Sequence, residues 1–274
     1  MRRWLPELLA LSLLPWLVIQ GRRVRRMTPR LPQAVGPNTG VARPPPVAGG
    51  LSSQAVQPPL QLLTIGESPV AGVGVATHYE AITGQFANAL AARLGRPVAW
   101  QAIGKNGATL HSAIKTMLPQ ITDKTTLQHV DVVLVAFGVN DSTAFRSRRR
   151  YRAELKYILY QLQLHLSPRL IVVAGVPPLH LFPAFPQPLR YVLGLKAQEL
   201  DNVARQVVVD LSHQMHVTLV PMLKNLTDQA LMASDGYHPS AAGAAMWGRQ
   251  LATAVAPQLK YRKKSAVPAA SEPQ

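Results

Sequence analysis

The chain has 274 residues, of which 47% are hydrophobic and none is cysteine. This is enough apolar material for one domain with a sizeable core, and the lack of cysteine excludes disulfides and thiolate chemistry. The net charge of +16 suggests an anionic partner, but 12 of the 29 Lys and Arg residues lie before residue 44 or from residue 260 onward. Because the middle of the chain is only moderately basic, we expect no specific nucleic-acid partner.

Residues 1–26 form a basic-flanked hydrophobic segment. Residues 4–20 are an apolar run of 17 between two arginines and a cluster of four more. A membrane-spanning helix takes about 17 to 25 residues, and two prolines and a glutamate weaken this run further. We expect an uncleaved membrane anchor, because the run leads into arginines and not into a small-residue cleavage site. A signal peptide and an interfacial amphipathic helix remain alternatives.

The charges that flank the run predict its orientation in the membrane, and the composition of the residues that follow predicts the domain boundaries. More arginines follow the run than precede it, which favours an inner-membrane protein with a cytoplasmic-facing domain over a periplasmic or secreted one. Residues 27–59 are rich in Pro, Gly, Ser and Ala without apolar periodicity, which predicts a semi-extended linker. Residues 259–274 predict a disordered basic tail, so the folded domain is expected at 60–258.

The domain begins with a short apolar run at residues 62–65 that predicts the end of a buried strand. Gly66 follows directly and allows a sharp turn, so Ser68 lies at the C-terminal edge of this strand. That edge is where ligands bind in open α/β sheets. Taken alone, Ser68 is more simply explained as a turn or capping residue.

Helices and strands alternate through the rest of the domain. The sequence predicts helices at 79–94, 107–118, 151–166, 187–215 and 241–255, and strands at 97–103, 130–137, 170–174 and 216–220. Apolar strands separated by helices indicate a parallel sheet covered on both faces. We therefore expect a three-layer α/β/α sandwich with a parallel sheet of about five strands.

Polar residues follow several of these strands. Gly104, after the second strand, has an unobstructed backbone N–H, and Asn140, after the third, has a side-chain amide donor. Each is most simply a turn residue when taken alone. Asp235 lies three residues before His238, a spacing that lets the carboxylate orient the imidazole, as a serine hydrolase needs. The same pair could be two metal ligands, but a metal site needs at least three, and no further His-rich cluster has suitable spacing.

Together these residues resemble the four blocks of the SGNH (GDSL-like) hydrolases. The blocks are Gly66-Glu67-Ser68, Gly104, Gly138-x-Asn140-Asp141 and Asp235-x-x-His238, in the family's order. The resemblance implies a flavodoxin-like fold in which Ser68 is the nucleophile, His238 the general base and Asp235 its orienting carboxylate. It also implies an oxyanion hole made of Ser68, Gly104 and Asn140, without cofactor or metal. Glu67 and Pro69 replace the family's usual Asp and Leu, and we interpret both as tolerated neighbours of Ser68.

Two further stretches have a structural and a functional interpretation. The arginine-rich residues 146–152 are either a solvated helix start or a docking patch for anionic groups. The apolar loop at 176–188 either caps an acyl pocket or packs in the core.

The predicted function is a serine esterase acting on a lipid or small-molecule ester. The alternatives are an acyltransferase or deacetylase acting on a saccharide or lipid, and a non-catalytic basic protein that binds membranes or nucleic acid.

Overall fold

The computed structural model of the chain describes residues 5–46, 57–124, 129–222 and 228–260. Its helices are α1 (Leu5–Ser12), α2 (Leu14–Met27), α3 (Ile82–Leu94), α4 (Leu110–Thr116), α5 (Leu118–Lys124), α6 (Val139–Thr143), α7 (Arg148–Leu166), α8 (Leu189–Leu211) and α9 (Ala241–Lys260). Its strands are β1 (Thr39–Ala42), β2 (Leu60–Gly66), β3 (Val98–Gly104), β4 (Val132–Ala136), β5 (Leu170–Ala174) and β6 (Val217–Val220). Leu259 and Lys260, predicted to begin the C-terminal tail, belong to α9, and the rest of that tail lies outside the described residues.

The six strands form one sheet in the order β1-β3-β2-β4-β5-β6. The pairs from β3 to β6 are all parallel, and β1 joins β3 antiparallel at one edge. The five parallel strands have the flavodoxin-like order, in which the first strand in sequence lies second in the sheet. The α/β prediction is confirmed, with six strands in place of about five.

Alternation along each strand divides the core into two layers. Successive side chains of a strand point to opposite faces of the sheet. Leu63 of β2 and Val133 of β4 belong to the apolar cluster that includes α7 and α8, whereas Leu62 and Val132 belong to the cluster that includes α3 and α9. All of β4 and β5 is buried, as a strand covered on both faces requires. The chain is therefore the predicted three-layer α/β/α sandwich.

The segment predicted to be a linker contributes a strand, so that prediction is wrong for residues 34–42. Thr39–Ala42 pairs with β3, and Asn38 Nδ2 donates to the Ala102 carbonyl at 2.9 Å. Gly40 packs against the Trp100 ring so closely that a Cβ would lie 2.6 Å from it. A pattern of small residues without apolar periodicity hides this strand, because its pairing uses the backbone and its packing surface is supplied by Trp100. Residues 47–56 lie outside the described part of the chain.

The N-terminal apolar run forms two short helices, α1 and α2, in place of one. In the described residues, no helix is both long and apolar enough to cross a bilayer. α1 instead packs against α8, where the fully buried Lys196 Nζ lies 2.7 Å from a carboxylate oxygen of Glu7 and 2.7 Å from one of Glu199. In α2, Gln20 exchanges hydrogen bonds with Gln187 and Leu189.

Candidate active site

The C-terminal ends of three adjacent strands bring the predicted residues to one edge of the sheet. Gly66, the last residue of β2, is in register with Gly104 of β3 and with Ala136 of β4. Ser68 follows Gly66 by two residues, and α6, which contains Asn140, begins shortly after β4. The sheet thus places Ser68, Gly104 and Asn140 together, as expected from their positions after strands.

Two glycines allow the turn that contains Ser68. A Cβ at Gly66 would lie 2.5 Å from Val70 Cγ2 and 2.7 Å from the Ala136 carbonyl oxygen, so only glycine fits between these groups. A Cβ at Gly104 would lie 2.2 Å from the backbone nitrogen of Ala71. Gly104 therefore packs backbone to backbone against the turn that follows Ser68. The side chain of Ser68 is buried in this turn, and its Oγ donates to Asn106 Oδ1 at 2.8 Å.

Asp235 and His238 are in direct contact in the loop before α9. His238 Nδ1 lies 2.6 Å from Asp235 Oδ2, and Asp235 Oδ1 accepts the backbone N–H groups of Tyr237 and His238. Burial raises the pKa of the Asp235 carboxyl, but these bonds, led by the one from His238, outweigh it and leave the pKa below its ordinary value. With Nδ1 protonated toward the carboxylate, Nε2 is the basic nitrogen. It is buried and has no hydrogen-bond partner among the described residues.

Asn140 is held by Glu67, the residue that precedes Ser68. The Glu67 carboxylate accepts the N–H groups of Val139 and Asn140 at 3.0 Å each, and Asn140 Nδ2 at 2.6 Å. Asn140 Nδ2 also donates to the Ala108 carbonyl at 3.1 Å. Both amide hydrogens are thus engaged, so an oxyanion at this amide would have to take the place of the Ala108 carbonyl. Burial raises the pKa of Glu67 to about 8.

Glu67 and Asn106 are the residues of this site that the sequence analysis missed. Glu67 was interpreted as a tolerated neighbour, yet it ties the end of β2 to the start of α6. The signal was available, because a carboxylate next to a buried strand end is almost never without a partner. Asn106 gives no such signal, since an Asn before a Gly is an ordinary turn sequence.

The arginine-rich stretch is mostly paired within the protein. Arg148 lies 3.3 Å from Glu199 and Arg152 lies 3.1 Å from Asp210. Arg146 lies 4.0 Å from Asp141 and 3.8 Å from Glu154. These contacts support the structural interpretation over a docking patch.

Two spaces meet at His238. The first is a small apolar pocket of about 60 Å³ that contacts Ser68, Asn140 and His238. Its apolar walls include Phe137, Phe182, Met222, Met232 and Trp247. The loop at 176–188 both packs in the core and borders this pocket, since Phe182 is buried and also lines the pocket. Tyr237 joins the loop to the site, with its ring 5.7 Å from that of Phe182 and 4.9 Å from that of His238.

The second space is a groove of about 1190 Å³ that runs beneath α1 and α2 and reaches Asn106, Asn140 and His238. The residues that line it range from Glu7 in α1 to His238 in the loop before α9. No group of three or more His, Asp or Glu side chains in the described ranges is arranged to hold a metal ion.

Solved structures share this fold at low sequence identity. The lipase/acylhydrolase from Enterococcus faecalis is 20% identical, with a TM-score of 0.56, and the alignment covers 75% of this chain and 100% of that one. The psychrotrophic esterase EstA from Pseudoalteromonas sp. is 16% identical, with a TM-score of 0.54 and coverages of 73% and 98%. A carbohydrate esterase family 2 enzyme from Corynascus thermopiles is 18% identical, with a TM-score of 0.56 and coverages of 77% and 69%. A comparison with curated proteins gave no match.

The family assignment comes from the sequence itself. The family model described as the GDSL-like lipase/acylhydrolase family matches residues 64–246, about two thirds of the chain. The matched region begins in β2, just before Ser68, and extends into α9, past His238. The chain belongs to the GDSL-like lipase/acylhydrolase family.

Proposed function

We propose that the protein is a serine esterase in which Ser68, His238 and Asp235 form the catalytic triad. The observation that carries the proposal is the Asp235–His238 contact, which leaves His238 Nε2 as an unpaired base bordering the same pocket as Ser68. A serine hydroxyl is a weak nucleophile unless a base takes its proton. The family and the esterases and lipases of similar fold support this function.

The reaction follows from these contacts. The Ser68 hydroxyl turns from Asn106 to His238, gives its proton to Nε2, and its Oγ attacks the ester carbonyl carbon. The N–H groups of Ser68 and Gly104 and the Asn140 amide stabilise the negative oxygen that forms. His238 then protonates the departing alcohol as its bond to carbon breaks. Water, activated by the same nitrogen, releases the acid from Ser68.

Transfer of the acyl group to an acceptor other than water is the second candidate. Acyl transfer to a saccharide or lipid, or deacetylation of one, would use the same acyl-Ser68 intermediate. The large groove beside His238 has room for such an acceptor or leaving group. Product analysis separates the candidates, because hydrolysis gives only the free acid, whereas transfer gives a new ester in the presence of the acceptor.

The test of the nucleophile uses the full chain and short p-nitrophenyl esters. We expect Ser68→Ala to lower kcat by about 10³-fold or more while the protein stays folded, because no other group can form the acyl intermediate. Ser212→Ala, an exposed serine at the end of α8, is the control. A fluorophosphonate should label the wild type and the control but not Ser68→Ala. Full activity in Ser68→Ala, or no esterase activity in the wild type, would reject the proposal in favour of a binding protein.

We also propose that α1 and α2 contact an anionic membrane surface. Leu8, Leu11, Trp16 and Ile19 are exposed on these helices, and four arginines follow in the last turns of α2. Apolar side chains enter the lipid interface, and each nearby Arg contributes about 1 kcal/mol toward anionic lipid. Full-length protein should float with vesicles that contain phosphatidylglycerol and remain unbound with pure phosphatidylcholine. Equal binding to both, or to neither, contradicts the proposal.

The proposed location is the inner membrane with the domain on the cytoplasmic side. It is supported by the arginines at the end of α2, because the cytoplasmic leaflet carries the anionic lipids that attract basic segments. Protease added to intact spheroplasts should leave the domain uncut, whereas lysed spheroplasts should show cleavage. Cleavage in intact spheroplasts would place the domain outside.

A further inference from the structure

The groove beneath α1 and α2 is lined by arginines as well as apolar side chains, whereas the small pocket beside Ser68 is mainly apolar. We propose that it binds an amphiphilic ester that carries an apolar chain and an anionic group. This inference rests on the proposed esterase function and names its substrate class.

The apolar part of the groove is formed by α2 and α8. Leu14, Leu17 and Val18 of α2 line one side, and Leu189 and Leu193 of α8 line the other. Phe185 lies on the path toward Tyr237 and His238, which also line the groove. Apolar side chains on two facing helices bind an aliphatic chain by removing its surface from water, at roughly 0.8 kcal/mol per buried CH₂. A chain lying between α2 and α8 can thus extend to the reacting centre.

Three arginines give the groove its charge. Arg22, Arg25 and Arg30 line it, and in the described part of the chain none of them has a carboxylate within ion-pair distance. Glu7 is the other charged residue of the lining apart from Asp235, and its carboxylate is engaged by Lys196. Guanidinium groups without internal partners beside an apolar surface are suited to a phosphate or carboxylate. Arg148 and Arg152 of α7, by contrast, lie within ion-pair distance of Glu199 and Asp210.

The helices are held on the domain by polar contacts. The Nζ of Lys196 is fully buried between Glu7 and Glu199, and Gln20 bonds to the backbone on either side of Pro188. A buried charge is tolerated only where its partners are in place. The wall formed by α1 and α2 is therefore part of the folded site.

The first experiment compares simple amphiphiles as inhibitors of p-nitrophenyl acetate hydrolysis, all below their micelle-forming concentrations. Decyl phosphate should inhibit competitively, with a Ki at least about tenfold lower than those of butyl phosphate, inorganic phosphate and decyltrimethylammonium, because only decyl phosphate offers both features. Equal inhibition by decyl phosphate and decyltrimethylammonium would overturn the charge assignment. Equal inhibition by decyl and butyl phosphate would overturn the chain assignment.

Matched variants inside and outside the groove test where the inhibitor binds. Arg25→Ala and Val18→Asn, which change groove residues, should each raise the Ki of decyl phosphate about fivefold to tenfold. The first change removes one charge-assisted contact, and the second removes apolar surface that buries the chain. Arg93→Ala and Val209→Asn, at exposed positions of α3 and α8 outside the groove lining, should change the Ki by less than about twofold. Equal effects of the two pairs would overturn the proposal.

Direct binding separates this inference from the esterase assignment. Calorimetry with the Ser68→Ala full-length protein should detect decyl phosphate binding that Arg25→Ala weakens, without any need for turnover. Binding without esterase activity would reject the proposed function and retain the groove. Esterase activity without such binding would retain the function and reject the groove.

Discussion

At the scale of single residues, the contact between Glu67 and Asn140 adds a structural element to the proposed nucleophile and base. We expect Asn140→Ala and Asn140→Asp each to lower kcat by about 10² or more with little change in KM, because the amide acts on charge that forms in the transition state. Asn202→Ala, an exposed position on α8, should match the wild type. An effect on KM alone would show that Asn140 binds substrate instead.

Glu67 also predicts a pH dependence of stability. Burial raises its pKa from 4.5 to about 8, so the folded protein binds more protons than the unfolded chain in this window. The contribution of Glu67 to stability is complete below pH 4.5 and declines as the pH rises toward 8, by at most about 1.4 kcal/mol per pH unit. The Glu67→Gln variant lacks this titrating carboxyl. The free energy of unfolding of the variant should therefore fall less steeply with pH than that of the wild type.

Urea unfolding of the wild type and Glu67→Gln between pH 6.5 and pH 8 measures the difference. This interval lies above the pKa of Asp141, which burial raises to about 6, so the decline that Asp141 contributes is largely over. Parallel curves for the two proteins would show that Glu67 does not titrate in this range.

The sequence predicts the positions of individual residues well where those residues follow the end of a strand. The positions of Ser68, Gly104 and Asn140 at one sheet edge, and the contact of Asp235 with His238, agree with the prediction. Their catalytic roles stay predictions. The bonds from Asn140 to Glu67 and from Ser68 to Asn106 could not be predicted, because each joins side chains far apart in sequence that meet only once the sheet is assembled.

At the scale of elements, β1 shows where a pattern of apolar residues fails. The strand at Leu170–Ala174 was predicted with its observed bounds, because a run of buried β-branched residues signals it. β1 has no such run. The helix predicted at 107–118 is in fact two helices, α4 and α5, and Pro119, which lacks a backbone N–H, lies at the start of the second.

The packing of β1 can be tested at Gly40. We expect Gly40→Ala to destabilise the protein by about 1 to 3 kcal/mol, because the new methyl group would overlap the Trp100 ring and Tyr79 Oη. Gly21→Ala in α2 is the control, since a Cβ there meets no atom within 4 Å and alanine favours a helix. Urea unfolding measures both. If Gly40→Ala unfolds at the same urea concentration as the wild type, β1 is not packed as described.

At the scale of the whole molecule, the two N-terminal segments should make separable contributions. Deleting residues 1–28 removes α1 and α2 but keeps β1, whereas deleting residues 1–57 removes all three. We expect the longer deletion to melt several degrees below the shorter one, because it exposes the edge of β3 and the buried Trp100 ring. Equal melting temperatures would restore the linker interpretation of residues 27–59.

The contact between Glu7 and Lys196 joins residues 189 positions apart, and this separation has a consequence during synthesis. Ribosomes add about 5 to 20 residues per second, so about 10 to 40 s pass between the appearance of Glu7 and that of its partner. Throughout this interval α8 does not yet exist, and the leucines of α1 and α2 have no surface of their own chain to cover them. The first helices of the protein therefore dock only after α8 has been made, and the nascent chain must keep this apolar end from aggregating until translation is nearly three quarters complete.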